Sequence, residues 1–488
     1  MLFSESLLSQ LSERVGAQMG LHFPPQRWRD LETGIQAAAR ESGATDVTAY
    51  ARDLLAARLT QRQIDELAHA LTVGETYFFR DPRSLKVLND TVLPELIRTR
   101  RGTTRRLRIW SAGCCTGEEA YSIAIMLERL LPDFDDWQVT LLATDINARF
   151  LKKAAEGVYG EWSFRGAPDW LKEGYFRQVA PRRFAILPRI RERVTFAYLN
   201  LGQDVYPSLD TNTNAMDLIL CRNVLIYFSP ERAATVARNF HHALVTNGWL
   251  LVSAVETFAT LRDYFDANTF EGAILHRKKD PAAAALARVA APVVPSVHEE
   301  NRRPVPRPAA VPIRREVNAK EKAVNSYEVA VALFERGRYM EAAALAQSTG
   351  GTAPNAASAT LLARIYANLG ELAEARSWAE RAIAADRTDA ASHYLRAMIL
   401  EEQNLVADAF VSLQRTLYLA PGFVLAHFAL GNLTLRQGKH AESARHFSNA
   451  LDFLKNYGDD AVLPDSDGMA AGRLREMIHS IAPGDLAA

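Results

Sequence analysis

The chain has 488 residues, of which 48% are apolar, so it is long enough for about three domains and too apolar to be disordered. Its 57 basic and 57 acidic residues give zero net charge, which argues against a protein that coats nucleic acid. The three cysteines, Cys114, Cys115 and Cys221, include no CxxC pair and argue against a disulfide framework or a structural zinc site.

The sequence also bears on the protein's location. The N-terminus lacks a basic segment followed by a continuous apolar core, so we expect no signal peptide. No run of ~18 apolar residues occurs, so we expect no transmembrane helix and no direct membrane insertion. These features predict a soluble cytoplasmic protein.

Residues 1–75 are predicted to form an N-terminal helical domain. Apolar residues recur there at roughly helical spacing, as in Leu8, Leu11, Val15 and Met19. Several arginines lie on the predicted polar faces. They indicate either an ordinary solvated surface or a docking surface for an acidic partner.

Residues 76–280 alternate between predicted strands and helices, which is typical of a doubly wound α/β sheet that is mostly parallel. Such sheets bind ligands beyond the carboxyl ends of their strands. The predicted strands are RLRIWSAG (106–113), QVTLLATDI (138–146) and WLLVSAVE (249–256), and MDLILCRNVLIYF (216–228) is predicted to be a buried strand that runs into a loop. The predicted helices are EEAYSIAIMLERLL (118–131), ARFLKKAAEGV (148–158) and ERAATVARNFHHALVTNG (231–248), the last closed by Gly248.

The remainder of the chain divides into a linker, a repeat region and a tail. Residues 281–322 contain seven prolines and predict a semi-flexible linker that lets the following part swing. Residues 323–456 repeat with a step of 34, and small residues recur where paired helices would approach. The pattern resembles tetratricopeptide repeats, which form an all-α solenoid; a generic array of helical hairpins would have the same architecture. Residues 457–488 are predicted to be a C-terminal tail.

Two motifs at predicted strand ends indicate a cofactor. SAGCCTGEE (111–119) is a glycine turn, although it matches neither GxGxxG nor a P-loop, and Glu118 and Glu119 also suit the helix dipole. Asp145 in ATDI follows the next strand, where it would either accept ribose hydroxyls or cap a helix. Together the motifs favour a cationic nucleoside, for which S-adenosylmethionine is the natural candidate.

Two further motifs are TVGETYFFRDP (72–82) and CRNVLIYF (221–228). Phe78 and Phe79 are typical core residues, whereas Arg80 beside them would be able to hold a carboxylate through two hydrogen bonds. Cys221 has no evident histidine partner and is interpreted as a small buried residue rather than a nucleophile.

In this order the motifs TYFFRD, SAGCCTGEEAYSIA, ATDI, VTFAYLNL and CRNVLIYF resemble the CheR family of chemotaxis-receptor methyltransferases, over roughly residues 5–277. The resemblance implies a helical N-terminal domain on an S-adenosylmethionine-binding α/β domain, with a small β-subdomain at about residues 160–194. It also implies esterification of glutamate side chains on the cytoplasmic helical bundle of chemoreceptors.

The resemblance also implies roles for individual residues. Arg80 and Tyr227 correspond to residues that face the reacting groups. Gly74, Cys115 and Ala120 depart from the Asn, Ser and Pro that are frequent in the family, which should weaken single contacts only. The cofactor contacts fall on Thr76, Arg80, Glu118, Asp145, Asn200, Leu201, Cys221 and Arg222.

Two alternatives to this function are weighed. A methyltransferase acting on DNA amino groups generally needs an [ND]PP[YFW] motif, which is absent, and zero net charge argues against a nucleic-acid partner. The sequence is also compatible with a methyltransferase that acts on another substrate. A non-catalytic scaffold is the second alternative, against which the presence of Arg80, Glu118, Asp145 and Tyr227 argues. The repeats contain no catalytic constellation, so we expect them to bind a protein or peptide.

Overall fold

The structure is a computed structural model that describes residues 2–202, 206–257, 259–279, 319–349 and 355–481. Its first part is a helical domain packed around one apolar core. Ser4 caps the first helix, and Thr60 with Gln63 forms a capping box on the fourth, which explains where these helices begin. The helices are Glu5–Met19, Trp28–Ser42, Val47–Ala56 and Gln61–Leu71, with a 3-10 turn at Pro25–Arg27.

A twisted sheet forms the centre of the second domain. The strands within the described residues are β1 (Arg106–Ala112), β2 (Gln138–Asp145), β3 (Val158–Gly160), β4 (Phe176–Ala180), β5 (Arg183–Ile186), β6 (Val194–Tyr198), β7 (Met216–Cys221), β8 (Leu244–Val252), β9 (Phe265–Phe270) and β10 (Ala273–Lys278). The main sheet has the order β6-β2-β1-β7-β8-β10-β9, and its first five strands are parallel. The hairpin β9–β10 joins β8 in antiparallel orientation, an element that the sequence analysis did not predict. Strands β3–β5 form a separate antiparallel sheet.

Helices cover both faces of the main sheet, as expected for parallel strands that are buried on both sides. One core contains Ile109 and Leu218, and the opposite core contains Trp110 and Ile219, so successive strand residues alternate between the two. The helices are Pro82–Val87, Leu93–Arg101, Glu118–Leu130, Ala148–Glu156, Asp169–Tyr175, Pro188–Arg191, Pro230–Ala243 and Leu261–Tyr264, with a π-helical turn at Leu88–Val92 and 3-10 turns at Phe134–Asp136, Glu161–Phe164, Leu225–Tyr227 and Ala254–Glu256.

Two helix ends in this domain were predicted too far along the chain. The helix expected to reach Val158 ends at Glu156, and Val158 belongs to β3. The helix expected to continue to Gly248 ends at Ala243, and β8 begins at Leu244, which pairs with Met216. Val245 and Thr246 are β-branched, so this stretch favours an extended backbone even though its apolar residues continue the helical pattern.

The C-terminal part consists of paired helices. The pairs in the described residues are Ala319–Glu335 with Tyr339–Thr349, Ala356–Leu369 with Leu372–Ala385, Ala390–Glu402 with Val406–Leu419, and Val424–Arg436 with His440–Leu454. The equivalent small residues Ala375, Ala409 and Ser443 are fully buried, which lets the helices pack closely. Within the predicted tail, Ala471–Ile481 is a further helix.

Most of the predicted linker, residues 281–318, lies outside the described residues. Its last four residues, 319–322, belong to the helix Ala319–Glu335, so the repeat region begins earlier than predicted. The repeats contact the sheet domain directly, for example through an ion pair of Arg106 with Glu402, which is contrary to a freely swinging array. Among the described residues, the structure contains no helix with the length and hydropathy needed to cross a membrane.

Candidate functional site

A cavity of about 290 Å³ lies at the carboxyl ends of β1, β2 and β7, between the sheet and the N-terminal helices. Met19, Leu71 and Thr72 of the helical domain form one wall. Gly113 and Asp145 from the strand ends belong to the opposite wall. The cavity is therefore shared between the two domains, and its position is the one expected for a ligand of a parallel α/β sheet.

The glycine turn after β1 is held against the end of β2. The backbone N–H groups of Gly113 and Cys114 both donate to the Thr144 carbonyl, at 2.7 and 2.9 Å. Gly113 has φ of 80°, and a Cβ there would lie 2.4 Å from a methyl group of Val224. Glycine is thus required both for the backbone conformation and for the close approach of the loop that follows β7.

Asp145 closes the base of the cavity. Its Oδ2 accepts from the Cys115 N–H at 2.8 Å, and its Oδ1 accepts from the Asn147 N–H at 2.9 Å. Each oxygen keeps a second lone pair, so the carboxylate can still accept two ligand hydroxyls. Burial raises the pKa of Asp145 to about 6, although the backbone hydrogen bonds act in the opposite direction.

The two glutamates that begin the next helix have different surroundings. The Glu118 carboxylate accepts from Thr116 Oγ1 at 2.6 Å and Ser163 Oγ at 2.9 Å, and it is buried outside the cavity lining. Glu119 lines the cavity, where Arg222 Nε donates to it at 2.7 Å and Ser111 Oγ at 2.7 Å. Glu119 is therefore the carboxylate of this pair that can face a cationic ligand.

Arg80 lies on the segment that links the helical domain to the sheet domain. Its guanidinium donates to the Glu75 carbonyl, and its own carbonyl accepts from Arg222 Nη1 at 2.8 Å. The neighbouring Phe78 is fully buried in the core, which fixes the segment, while the Arg80 side chain remains partly exposed at the cavity. The guanidinium is thus placed to meet an anionic group that enters from solvent.

Tyr227 also lines the cavity at its rim, on the 3-10 turn after β7. Its ring is half-buried, and burial raises the pKa of its phenol, so the hydroxyl is a neutral hydrogen-bond donor at neutral pH. The Tyr227 carbonyl accepts from the His22 N–H at 2.7 Å, and the Arg27 guanidinium lies 5.8 Å from the ring centroid. The helical domain therefore helps to position this rim.

Most of the predicted site residues share this cavity. The lining includes Thr76, Arg80, Asp145, Asn200, Leu201, Arg222 and Tyr227. Asn200 is also structural, since its side chain donates to the Gln18 carbonyl at 2.9 Å. Glu118 and Cys221 lie outside the lining; Cys221 is fully buried in a core cluster, and burial raises the pKa of its thiol.

Glu256 was missed by the sequence analysis. It is fully buried, and its carboxylate accepts from the N–H groups of Asn223, Val224 and Leu225 at 2.8, 2.6 and 2.8 Å, and from Ser253 N–H and Oγ at 2.9 and 2.6 Å. It thereby holds the turn that carries Tyr227. The available signal was an acidic residue directly after a buried strand, WLLVSAVE.

Asn147 was also missed. Its side chain caps the helix Ala148–Glu156 and donates to Thr72 Oγ1 at 3.0 Å, so it ties the end of β2 to the helical domain. Its signal was the position directly before a helical pattern.

These side chains fit S-adenosylmethionine. The Asp145 carboxylate suits the two ribose hydroxyls, and Ile146 and Phe150 offer apolar surface for a base. The Glu119 carboxylate also lines the cavity, where it shares its charge with Arg222, and the volume is near the lower end of the ~300–1,000 Å³ usual for ligand pockets.

Comparisons with known proteins identify the family of the sheet domain. The family model for the CheR methyltransferase SAM-binding domain matches residues 74–273. A chemotaxis protein methyltransferase of Borreliella burgdorferi is 31% identical over 252 residues, covering 51% of this chain and 87% of the relative. Chemotaxis protein methyltransferase 1 of Pseudomonas aeruginosa is 36% identical over 218 residues, covering 43% and 76%. The chain belongs to the chemotaxis protein methyltransferase family.

Membership confirms three predictions for this CheR-family chain: the family itself, the α/β fold with flanking helical parts, and S-adenosylmethionine as the cofactor. The enzyme class is that of S-adenosylmethionine-dependent methyltransferases.

The C-terminal part of this family member has its own match. A tetratricopeptide-repeat model matches residues 333–399, which confirms the repeat prediction. Among solved structures, a fragment of MamA from Desulfovibrio magneticus RS-1 is 20% identical, with a TM-score of 0.26, and covers 28% of this chain and 80% of its own. A TM-score this low carries no argument about function.

Proposed function

We propose that the protein transfers the methyl group of S-adenosylmethionine to glutamate side chains of chemoreceptors and forms methyl esters there. The observation that carries the proposal is one cavity lined by Asp145, whose carboxylate has lone pairs free for ribose hydroxyls, and by two groups that can hold an anionic substrate, Arg80 and Tyr227. The names of the related chemotaxis methyltransferases support the choice of substrate. The cytoplasmic helical bundle of the receptor is the proposed partner, and the cytoplasm the proposed location.

The reaction does not require the enzyme to supply a general acid or a general base. A glutamate side chain has a reference pKa of ~4.3, so it arrives as a carboxylate and needs no general base. S-adenosylmethionine, when bound, supplies an electrophilic methyl group on a positively charged sulfur. What the protein must add is alignment of the carboxylate and exclusion of water.

We assign these tasks to two residues that line the cavity. Arg80 holds and orients the incoming carboxylate, and the Tyr227 hydroxyl donates a hydrogen bond to the reacting groups. Arg222 donates hydrogen bonds to the Glu119 carboxylate and to the Arg80 carbonyl. It therefore fixes the position of the proposed substrate-binding residue relative to the proposed cofactor-binding residue. Thr76, Asn200 and Leu201 complete the cofactor contacts. Glu118 acts one step away, by holding the Thr116 and Ser163 hydroxyls.

The test is methyl transfer from tritiated S-adenosylmethionine to purified chemoreceptors of the source organism. Methyl esters release their label as volatile methanol in alkali, whereas methylated amines do not. We expect alkali-labile label on the receptors, and a strong loss of label with Asp145→Asn. Absence of label, or alkali-stable label, would refute glutamate esterification while leaving cofactor binding to be measured separately.

A further inference from the structure

The C-terminal helix Ala471–Ile481 reaches back to the sheet domain. It follows the repeats and lies against β6, which forms one edge of the main sheet. An edge strand has backbone groups that its sheet neighbour leaves unpaired, so a covering element can bond to them. The methyltransferase family match ends at residue 273, far before this helix. Any support that the helix gives to the cavity therefore comes from outside the matched domain.

Arg473 of this helix contacts the end of β6. Its guanidinium donates to the Tyr198 carbonyl at 3.4 Å and lies over the Tyr198 ring, 4.5 Å from the ring centroid. The Arg473 side chain is only 3% exposed, and Glu476 on the same helix accepts from it at 2.9 Å. Because Glu476 meets its charge, the guanidinium can stay buried at the strand without an unpaired charge.

The strand end that Arg473 contacts leads into the cavity. Tyr198 lies opposite Asp145 in the sheet, and the Leu199 N–H donates to the Asp145 carbonyl at 3.1 Å. The three residues after Tyr198 all line the cavity, namely Leu199, Asn200 and Leu201. A shift of Tyr198 would therefore displace the wall that these residues form beside Asp145.

Arg475, two residues further along the helix, has different partners. It donates to the Leu454 and Tyr457 carbonyls, both at 2.6 Å, and it forms an ion pair with Asp459. These partners belong to the end of the last repeat pair and the loop that follows it. Arg473 thus attaches the helix to the sheet, whereas Arg475 attaches it to the repeats.

We propose that Arg473 is a positioning residue of the cofactor site; this rests on the proposed function, which assigns the cavity to S-adenosylmethionine. Arg473 does not line the cavity, so it acts through Tyr198. At the same segment, the Gln18 carbonyl of the helical domain accepts from Asn200 Nδ2 at 2.9 Å. The cofactor therefore meets a wall that is already in place, and less of it has to be ordered on binding.

Calorimetric titration of the full-length protein with S-adenosylmethionine tests this role, at a temperature where each variant is shown to be folded. Arg473→Met keeps an unbranched apolar stem against the Tyr198 ring and removes the guanidinium, so the dissociation constant should rise at least fivefold. Arg473→Lys keeps the charge and should recover part of the affinity. The matched control Arg475→Met should change the dissociation constant less than twofold.

Equal losses of affinity in Arg473→Met and Arg475→Met, or no loss in either, would overturn the proposal. If Arg473→Met does not fold, Arg473→Lys decides, with an expected rise of at least twofold in the dissociation constant and none as the contrary result. A loss with Asp145→Asn but none with Arg473→Met would reject the role of Arg473 alone. Unchanged affinity in both variants would reject the assignment of the cavity as well.

Hydrogen exchange of the cofactor-free protein gives a second measurement. Amides of residues 198–201 should exchange at least fivefold faster in Arg473→Met than in the unsubstituted protein, because the segment loses one of its contacts. Arg475→Met should leave their exchange unchanged. Unaltered exchange at residues 198–201 in Arg473→Met would contradict the positioning role.

Discussion

Asp145 is proposed to hold the ribose of the cofactor. Asp145→Asn removes the charge from hydrogen bonds that are worth about 1.5–3 kcal/mol each, so we expect the dissociation constant for S-adenosylmethionine to rise at least tenfold. Calorimetric titration measures this change. The control Asp136→Asn alters a largely exposed carboxylate and should have no effect. Unchanged affinity in Asp145→Asn would remove Asp145 from the site.

The raised pKa of Asp145, about 6, also predicts a pH dependence. In the proposed assignment the ionised carboxylate accepts the ribose hydroxyls, and protonation would occupy one of its lone pairs. Affinity for S-adenosylmethionine should therefore fall as the pH falls through about 6, approaching a tenfold loss per unit, and be nearly constant close to pH 7. Titrations between pH 5 and 7 measure the slope. Affinity that does not change with pH in the unsubstituted protein would contradict the assignment. In Asp145→Asn the affinity should be independent of pH over this range.

Arg80 is expected to act on the reaction more than on cofactor binding. Arg80→Ala leaves its carbonyl, and so the hydrogen bond to Arg222, in place. We expect methyl transfer to fall at least a hundredfold while the dissociation constant for S-adenosylmethionine changes less than threefold. Arg80→Lys should recover only part of the rate because it loses the planar two-point contact. Equal losses in rate and affinity would limit Arg80 to cofactor binding.

The difference between Glu118 and Glu119 shows how far the sequence can locate a site residue. Both begin the same helix, and neighbouring residues point about 100° apart around a helix axis. The motif predicts a carboxylate at this place, but it does not predict which one faces the cavity. That depends on Ser163 and Arg222, which are distant in the chain and reach the two carboxylates only after folding.

Among the elements, the turn Leu225–Tyr227 depends on Glu256. Glu256→Gln replaces an oxygen acceptor by an NH₂ group that faces backbone N–H donors, so we expect a loss of about 3 kcal/mol in stability. We also expect kcat to fall at least tenfold because Tyr227 loses its position. Denaturation and steady-state kinetics measure both. The control Glu231→Gln lies in an exposed first turn of a helix, so it should cost much less stability than Glu256→Gln and leave kcat unchanged. Lost stability with an unchanged kcat would reject the positioning role.

Strands and helices with a clear period were predictable, and their ends were less so. The apolar and β-branched residues of β1 and β2 predict two buried strands, and the motifs at their ends follow directly in the sequence. The end of the helix at Ala243 could not be predicted in this way, because Leu244 is equally compatible with a helix and with a strand. Its pairing with Met216 decides between them, and that contact is not local.

In the whole molecule, Glu402 is expected to hold the repeats on the sheet. Its side chain is 7% exposed and that of Arg106 is 10% exposed, so Glu402→Ala leaves buried positive charge without a partner. We expect a loss of about 3 kcal/mol and a lower Tm in calorimetry. The neighbouring Glu401→Ala breaks an exposed pair with Arg436 and should cost about 0.5 kcal/mol. Similar losses in both variants would show that Glu402 does not anchor the array.

Domain identities were predictable from the sequence, and their mutual arrangement was not. The 34-residue period predicts a helical array without reference to the rest of the chain. The docking of the array on the sheet domain depends on single contacts between residues distant in the chain, such as Asn214 with Glu402. No periodic sequence pattern predicts such contacts. The proline-rich segment therefore suggested independent motion where the structure has a packed interface.

The cavity has a thermodynamic consequence because its walls come from two separately cored domains. A molecule bound there contacts Met19 and Leu71 on one side and Asp145 on the other, so its binding energy adds to the energy that keeps the domains together. A free ligand concentration a hundredfold above the dissociation constant stabilises the folded protein by about 2.7 kcal/mol. The helical domain and the sheet domain should therefore melt as one cooperative unit when cofactor is abundant, and become separable when it is scarce.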